Sequence, residues 1–162
     1  MSESPSPTPA LRRSIVLLSF ATFSSMCAQR VCDAMLPALA SDFSVSLAQA
    51  ARVVSFFAVV YGAAQLLYGP LGDRLGKFRV IMFTTLACSV GCVLSALAPD
   101  LRTLLAGRVL VALAAAAMIP MSLAWVGDAV AYGQRQEMLA RLGLGSTMGL
   151  VGGQLLGGFF TD

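Results

Sequence analysis

The sequence predicts an all-α membrane protein with five transmembrane helices, and three observations predict it. Of the 162 residues, 57% are hydrophobic and 12% are charged, and the mean hydropathy is +0.80, well to the apolar side of a soluble domain. The apolar residues fall into five stretches, each near the ~20 residues needed to cross a hydrocarbon core. The basic residues collect at the ends of those stretches, as membrane topology requires. They form no stripe that could follow nucleic-acid phosphates, and a net charge of +3 is small, so nucleic acid is not expected as a partner.

In chain order, residues 1–10 contain Pro5, Pro7 and Pro9 among serines and Thr8, a composition that buries no apolar area, and a disordered cytoplasmic tail is expected over residues 1–13. Arg12 and Arg13 then precede an uncharged run to Gln29. The run has the outline of a secretory signal peptide with Ala28 at its cleavage position, but Met26 suits that site poorly and the helical pattern continues to Pro37. The first span is therefore read as residues 14–39, the second as 53–69, the third as 80–97, the fourth as 104–126 and the fifth as 142–160. With Arg12, Arg13, Arg74, Lys77, Arg79, Arg135 and Arg141 on one side and only Arg52 and Arg102 in loops on the other, the amino terminus is expected in the cytoplasm of a multi-pass protein of the cell (inner) membrane.

Between the second and third spans lies Gly69-Pro70-Leu71-Gly72-Asp73-Arg74-Leu75-Gly76-Lys77-Phe78-Arg79. Pro70 and the glycines can end one helix and start the next close beside it, and the bases hold the turn in the headgroup layer. The string resembles the loop between helices 2 and 3 of the major facilitator superfamily of secondary transporters. Gly69, Leu71, Gly72, Asp73, Arg74, Gly76 and Lys77 fit the pattern; Phe78 stands where a second base is usual, and Arg79 follows one place late. The resemblance implies a gating loop in which Asp128 joins Asp73, Arg74 and Arg79 in a charge network holding one gate state. A plain surface role for Asp128 remains the other reading.

A second feature agrees with that family. Residues 63–73 align with residues 152–162, matching Gln65 to Gln154, Leu66 to Leu155, Leu67 to Leu156, Gly69 to Gly158 and Asp73 to Asp162. The second span runs inward and the fifth outward, so this is the pattern of inverted three-helix repeats, which build each six-helix half of a major facilitator transporter. Residues 14–162 are accordingly expected to form an amino-terminal transmembrane bundle whose second repeat breaks off before a sixth helix.

Within the first span, Gln29, Arg30 and Asp33 share one helical face. A charge near a bilayer centre costs roughly 2.5 to 3.5 kcal/mol, so such residues face a cavity or a partner and mark an ion or substrate path. The string Cys32-Asp33-Ala34-Met35-Leu36-Pro37-Ala38-Leu39 resembles the first helix of the twelve-helix proton-coupled drug exporters, with Asp33, Leu36, Pro37, Ala38 and Leu39 matching and Cys32 and Ala40 departing. The resemblance implies that Asp33 exchanges protons or pairs a cationic substrate. A local Arg30–Asp33 ion pair that only neutralises two charges is the alternative.

The fourth span carries one charge, Arg108, four residues after Leu104, resembling the family's helix 4 pattern, although Val111 and Ala112 occupy its Gln and Gly positions. At about 1.5 Å per residue, Asp33 and Arg108 both fall in the outer half of the bilayer and could meet; the resemblance implies that the first and fourth helices line a central cavity, so a cluster of Asp33, Arg30 and Arg108 is expected as the coupling site. Gln65, read as a buried polar residue of the second span, is a candidate for hydrogen bonding to substrate or to a neighbouring helix. The fifth span gathers seven glycines, and Gly145, Gly149, Gly153 and Gly157 form a small-residue stripe for close helix approach. The stripe resembles the glycine-rich fifth helix of the antiporter branch, with Gln154 in place of its proline. Gly143-Leu144-Gly145 is a poor nucleotide loop, since no strand precedes it.

No cofactor and no metal site are expected: there is no His, and Cys27, Cys32, Cys88 and Cys92 form no paired C-x-x-C units, reading instead as small packing residues. No nucleophile, base and orienting group fall together, so no enzyme is expected. Two functions stay open. In the first, the chain is an incomplete half of a proton-coupled transporter exporting a small molecule, its partners being lipid, substrate, protons and a missing carboxyl-terminal half or partner chain. In the second, it is a non-transporting membrane fragment or assembly module whose glycine stripe packs on a separate partner.

Overall fold

The structure, a computed structural model, describes residues 8–161. Its elements are α1 (Pro9–Asp42), the short α2 (Leu47–Ala50), α3 (Arg52–Leu75), α4 (Lys77–Ala96), α5 (Leu101–Ala129) and α6 (Tyr132–Phe159). All the described elements are helical. Four stretches, Pro9–Asp42, Leu47–Leu75, Lys77–Ala96 and Leu101–Ala129, are long and apolar enough to cross a membrane; the many glycines of α6 dilute its apolar residues.

Several boundaries differ from the sequence expectation, each for a local reason. Residues 9–13, expected in the disordered tail, are helical: the Thr8 hydroxyl accepts from the Leu11 N–H at 3.3 Å, and Pro9 occupies the first turn, where its missing N–H costs nothing. Residues 1–7 of that tail lie outside the described residues. In the loop expected between the first two spans, Ser46 and Gln49 close a capping box, the Ser46 N–H donating to Gln49 Oε1 at 2.9 Å and the Gln49 N–H to Ser46 Oγ at 3.2 Å, and this starts α2. At α5 the Asp100 carboxylate accepts from the Thr103 N–H at 2.8 Å, which sets the start at Leu101 and holds that carboxyl below its ordinary range.

The largest difference is at the charged hairpin. Gly69 and Pro70 do not end the helix; α3 runs through them to Leu75. Proline removes one backbone hydrogen bond, but in an apolar environment the remaining backbone groups have no water to bond to, so the helix persists. The whole turn is made at Gly76, at φ 87° and ψ 124°, a conformation that costs any other residue about 1–3 kcal/mol. Likewise α6 begins ten residues before the expected fifth span. Asp128, which lies beyond the expected fourth span, belongs to α5, and Arg135, Glu137 and Arg141, which precede the expected fifth, belong to α6. Glu137 and Arg141 pair at 2.6 Å one turn apart.

Packing is organised by two small-residue surfaces. Ala114 to Ala117 of α5 are buried, and α3 and α4 both lie against this helix. On the other side α6 lies along α1. A Cβ at Gly145 would come within 2.7 Å of the Ser19 carbonyl oxygen, at Gly149 within 2.9 Å of the Phe23 Cα, at Gly153 within 2.6 Å of the Cys27 carbonyl oxygen and at Gly157 within 3.1 Å of the Val31 carbonyl carbon. Both helices advance four residues per contact in the same direction, so they are parallel, with backbone against backbone. The stripe is thus occupied within the chain. The first span pairs with the fifth and the second with the fourth, the exchange expected of two three-helix units related by a two-fold axis. Asp162, the counterpart of Asp73, lies outside the described residues.

Candidate functional site

Among the described residues, charge inside the bundle is confined to α1 and α5. On α1, Arg30 Nη1 and Asp33 Oδ2 pair at 3.0 Å, with the side chains 41% and 25% exposed. The stem of Arg30 is held by α6: a Cβ at Gly153 would lie 3.2 Å from the Arg30 Cβ. Arg30 Nε is buried without a partner.

On α5, Arg108 is 3% exposed. It does not join Asp33, as the sequence suggested; among the described residues no carboxylate lies within ion-pair distance of it. Instead Nη1 donates to the Ala28 carbonyl at 2.6 Å and Nη2 reaches the Gln29 carbonyl at 3.5 Å, while its Cζ stands 4.2 Å from the centre of the Phe57 ring. The expected three-residue cluster is therefore two adjacent units: an Arg30–Asp33 pair on α1, and a buried guanidinium that clamps α1 by its backbone one turn earlier. Spacing along the helices gives the depth of Arg108 but not its azimuth, and azimuth decides whether it meets a side chain or a carbonyl.

A guanidinium so placed is compensated by carbonyl dipoles and by the negative face of Phe57, an interaction worth about 2 kcal/mol in a desolvated site. Its Nε has no partner. Arg108 also forms part of the wall of a cavity of about 400 Å³ between α1, α4 and α5, beside Cys32, Met35 and Cys92; Asp33 does not line it. Gln29 meets Arg108 only through its main chain. Gln65 corrects another expectation: it is exposed, with no hydrogen-bond partner among the described residues.

At the hairpin, the network is centred on Lys77. Its ammonium is paired to Asp128 of α5 and lies 3.6 Å from Asp73 Oδ1 of α3, so one lysine ties three helices at one end of the bundle. Arg74 and Arg79, expected in that network, have no ion-pair partner among the described residues. Gly72 is buried because the Met121 side chain presses on it, bringing α5 against the end of α3. Gly69 lies on open helix surface. The continuation of α3 through the expected loop sets Lys77 over Asp73 and beside α5.

The sequence reading missed the hydroxyls that join helices. Ser25 Oγ donates to the Ala115 carbonyl at 3.0 Å, Thr22 Oγ1 to the Leu142 carbonyl at 3.3 Å and the Tyr68 hydroxyl to the Leu113 carbonyl at 2.7 Å. Ser and Thr inside an apolar span were the available signal.

Residues 18–162 match the family model described as "Major Facilitator Superfamily". The chain belongs to this superfamily. Among similar proteins are the riboflavin transporter RibZ of Clostridioides difficile, 23% identical over 91% of this chain and 32% of the relative, and the uncharacterized transporter YwfA of Bacillus subtilis, 30% identical over 88% of this chain and 34% of the relative. The multidrug export protein EmrB of Escherichia coli is 24% identical over 91% of this chain and 29% of the relative. The chain spans about a third of the length of these curated relatives. It is a membrane protein of a transporter superfamily, and its helices form a partial major facilitator bundle.

Proposed function

We propose that this chain is part of a proton-coupled secondary transporter that exports a small molecule, with Asp33 as the proton-exchanging group, Arg30 as its positioning partner and Arg108 as a fixed positive charge beside the path. The observation that carries this reading is the Arg30–Asp33 pair inside a long apolar helix, with the carboxylate a quarter exposed. A bundle needing only stability would lose little with apolar residues at both positions, since an ion pair withdrawn from water is often no better than its hydrophobic replacement. Ionisable groups kept in a span despite that cost mark ion or substrate paths. Export is favoured by the similarity to a multidrug export protein.

In this reading, the bundle rocks against a second bundle about a midplane site, and Lys77, by releasing or holding Asp73 and Asp128, biases one gate state. Gln65, exposed on α3, is free to face that second bundle. The amino terminus and the Lys77 hairpin lie on the cytoplasmic side of the cell membrane. Lys77 is the single lysine of this sequence, so the labelling by an impermeant amine reagent that is lost in Lys77→Arg should occur in everted vesicles and not in intact cells; such labelling from outside the cell would reverse the topology.

Arg108 separates function from stability. Arg108→Met gives up the Phe57 and carbonyl contacts but also removes the desolvation cost of a charge that no carboxylate among the described residues partners, and it fills much of the same volume, so the thermal midpoint in detergent should change by less than ~1 kcal/mol equivalent. Transport by the protein that carries this chain should fall at least tenfold. Wild-type transport would deny Arg108 its place beside the path, and outright unfolding would make its hold on the α1 backbone a requirement of the fold and overturn its separation from stability.

A further inference from the structure

We infer that the cleft between α3 and α4, at the end nearest their turn, is a binding site for an anionic phospholipid, with its phosphate held by Arg74 and Arg79. The cleft is a cavity of about 370 Å³ whose walls include both arginines, Leu71, Phe83, Tyr68 and Thr84. Three features point to this occupant.

The first is unassigned charge. Lys77 takes both nearby carboxylates, Asp73 and Asp128, leaving Arg74 and Arg79 without an ion-pair partner among the described residues although they flank the same cavity. Two guanidinium groups facing one space provide planar, bidentate donors for a phosphate.

The second is the order of chemistry along the cleft. Arg74 and Arg79 stand beside the turn, Leu71 and Phe83 about one turn farther from it, and Tyr68 and Thr84 about 9 Å and about 7.5 Å beyond their arginines at roughly 1.5 Å per residue. The Tyr68 and Thr84 hydroxyls already donate to the Leu113 and Val80 carbonyls, so the deep end offers no free donor to a phosphate. A charged mouth opening into an apolar slot matches a phosphate with an acyl chain below it, and not a free inorganic anion. The third is position. The mouth lies at a helix turn whose basic residues place it at the membrane face, where basic pockets between transmembrane helices meet lipid headgroups. The site does not depend on the proposed transport role.

The test uses the protein purified in detergent and reconstituted in nanodiscs. With Phe83→Trp as reporter and Trp125→Phe to remove the one tryptophan of this sequence, brominated phosphatidylglycerol should quench the signal that Phe83→Trp adds at least threefold more than brominated phosphatidylcholine at equal mole fraction. Arg74→Gln with Arg79→Gln should abolish that excess, and Arg141→Gln, which removes a positive charge on α6, should leave it intact. Equal quenching by the two lipids would overturn the proposal, as would an excess that survives the double substitution or is lost equally in Arg141→Gln, the mark of diffuse charge attraction. Helical circular dichroism reports whether the double variant is folded. If it is not, Arg74→Gln and Arg79→Gln made singly carry the test, each expected to lower the excess at least twofold, with no change in either overturning the site. A transport defect at Asp33 with no lipid preference would sink this inference alone.

Discussion

Asp33→Asn is expected to abolish proton-driven transport, lowering the initial rate in everted vesicles by about 100-fold or more, the scale of losing a proton-transferring side chain. The variant also leaves Arg30 without its carboxylate, so the single substitution mixes two effects. The geometry provides a way to separate them. Arg30 and Asp33 are each other's only ion-pair partner among the described residues. If the pair merely neutralised two charges, the double variant Arg30→Met with Asp33→Asn would remove both and restore transport. If Asp33 exchanges protons, the double variant stays as inactive as the single one. Wild-type proton dependence in Asp33→Asn would refute the role outright. A variant that still exchanges substrate down a concentration gradient but no longer responds to a proton gradient would locate the defect in coupling.

The second large effect lies in the α1–α6 seam. Gly149→Val places a branched side chain where even a Cβ would sit 2.9 Å from the Phe23 backbone. Neither backbone can yield without parting the helices, so a loss of at least the 1–3 kcal/mol of an overpacked core is expected, read as a lowered thermal midpoint in detergent. The comparison is internal to the same helix. Gly143 and Gly158 have nothing within 4 Å of an added Cβ, so Gly143→Ala and Gly158→Ala should hold or raise the midpoint, as alanine is favoured over glycine by about 0.8–1 kcal/mol in a helix. A midpoint for Gly149→Val equal to wild type would mean that α6 does not pack on α1 by this stripe.

That seam shows how much of the fold the sequence carried. Glycines at 145, 149, 153 and 157 announced a close helical approach because a four-residue spacing puts them on one face. They could not name the partner: the matching face of α1, through Ser19, Phe23, Cys27 and Val31, offers backbone and not a distinctive residue type, and so leaves no signature. Helix ends followed the same rule. The Ser46–Gln49 box and the Thr8-Pro9 start were legible and went unread, whereas the passage of α3 through Gly69 and Pro70 was not legible, because proline is a breaker by local chemistry and a tolerated residue in an apolar setting.

The candidate site divides along the same line. Arg30 and Asp33 meet because three residues on one helix fix their distance, and this the sequence alone determined, together with the membrane setting, the number of long helices and the superfamily. Which way Arg108 points, and which of Lys77, Arg74 and Arg79 captures Asp73 and Asp128, belonged to the tertiary structure. Those outcomes turn on the rotation of one helix against another. Helix rotation is set by packing over whole faces, and no single residue encodes it.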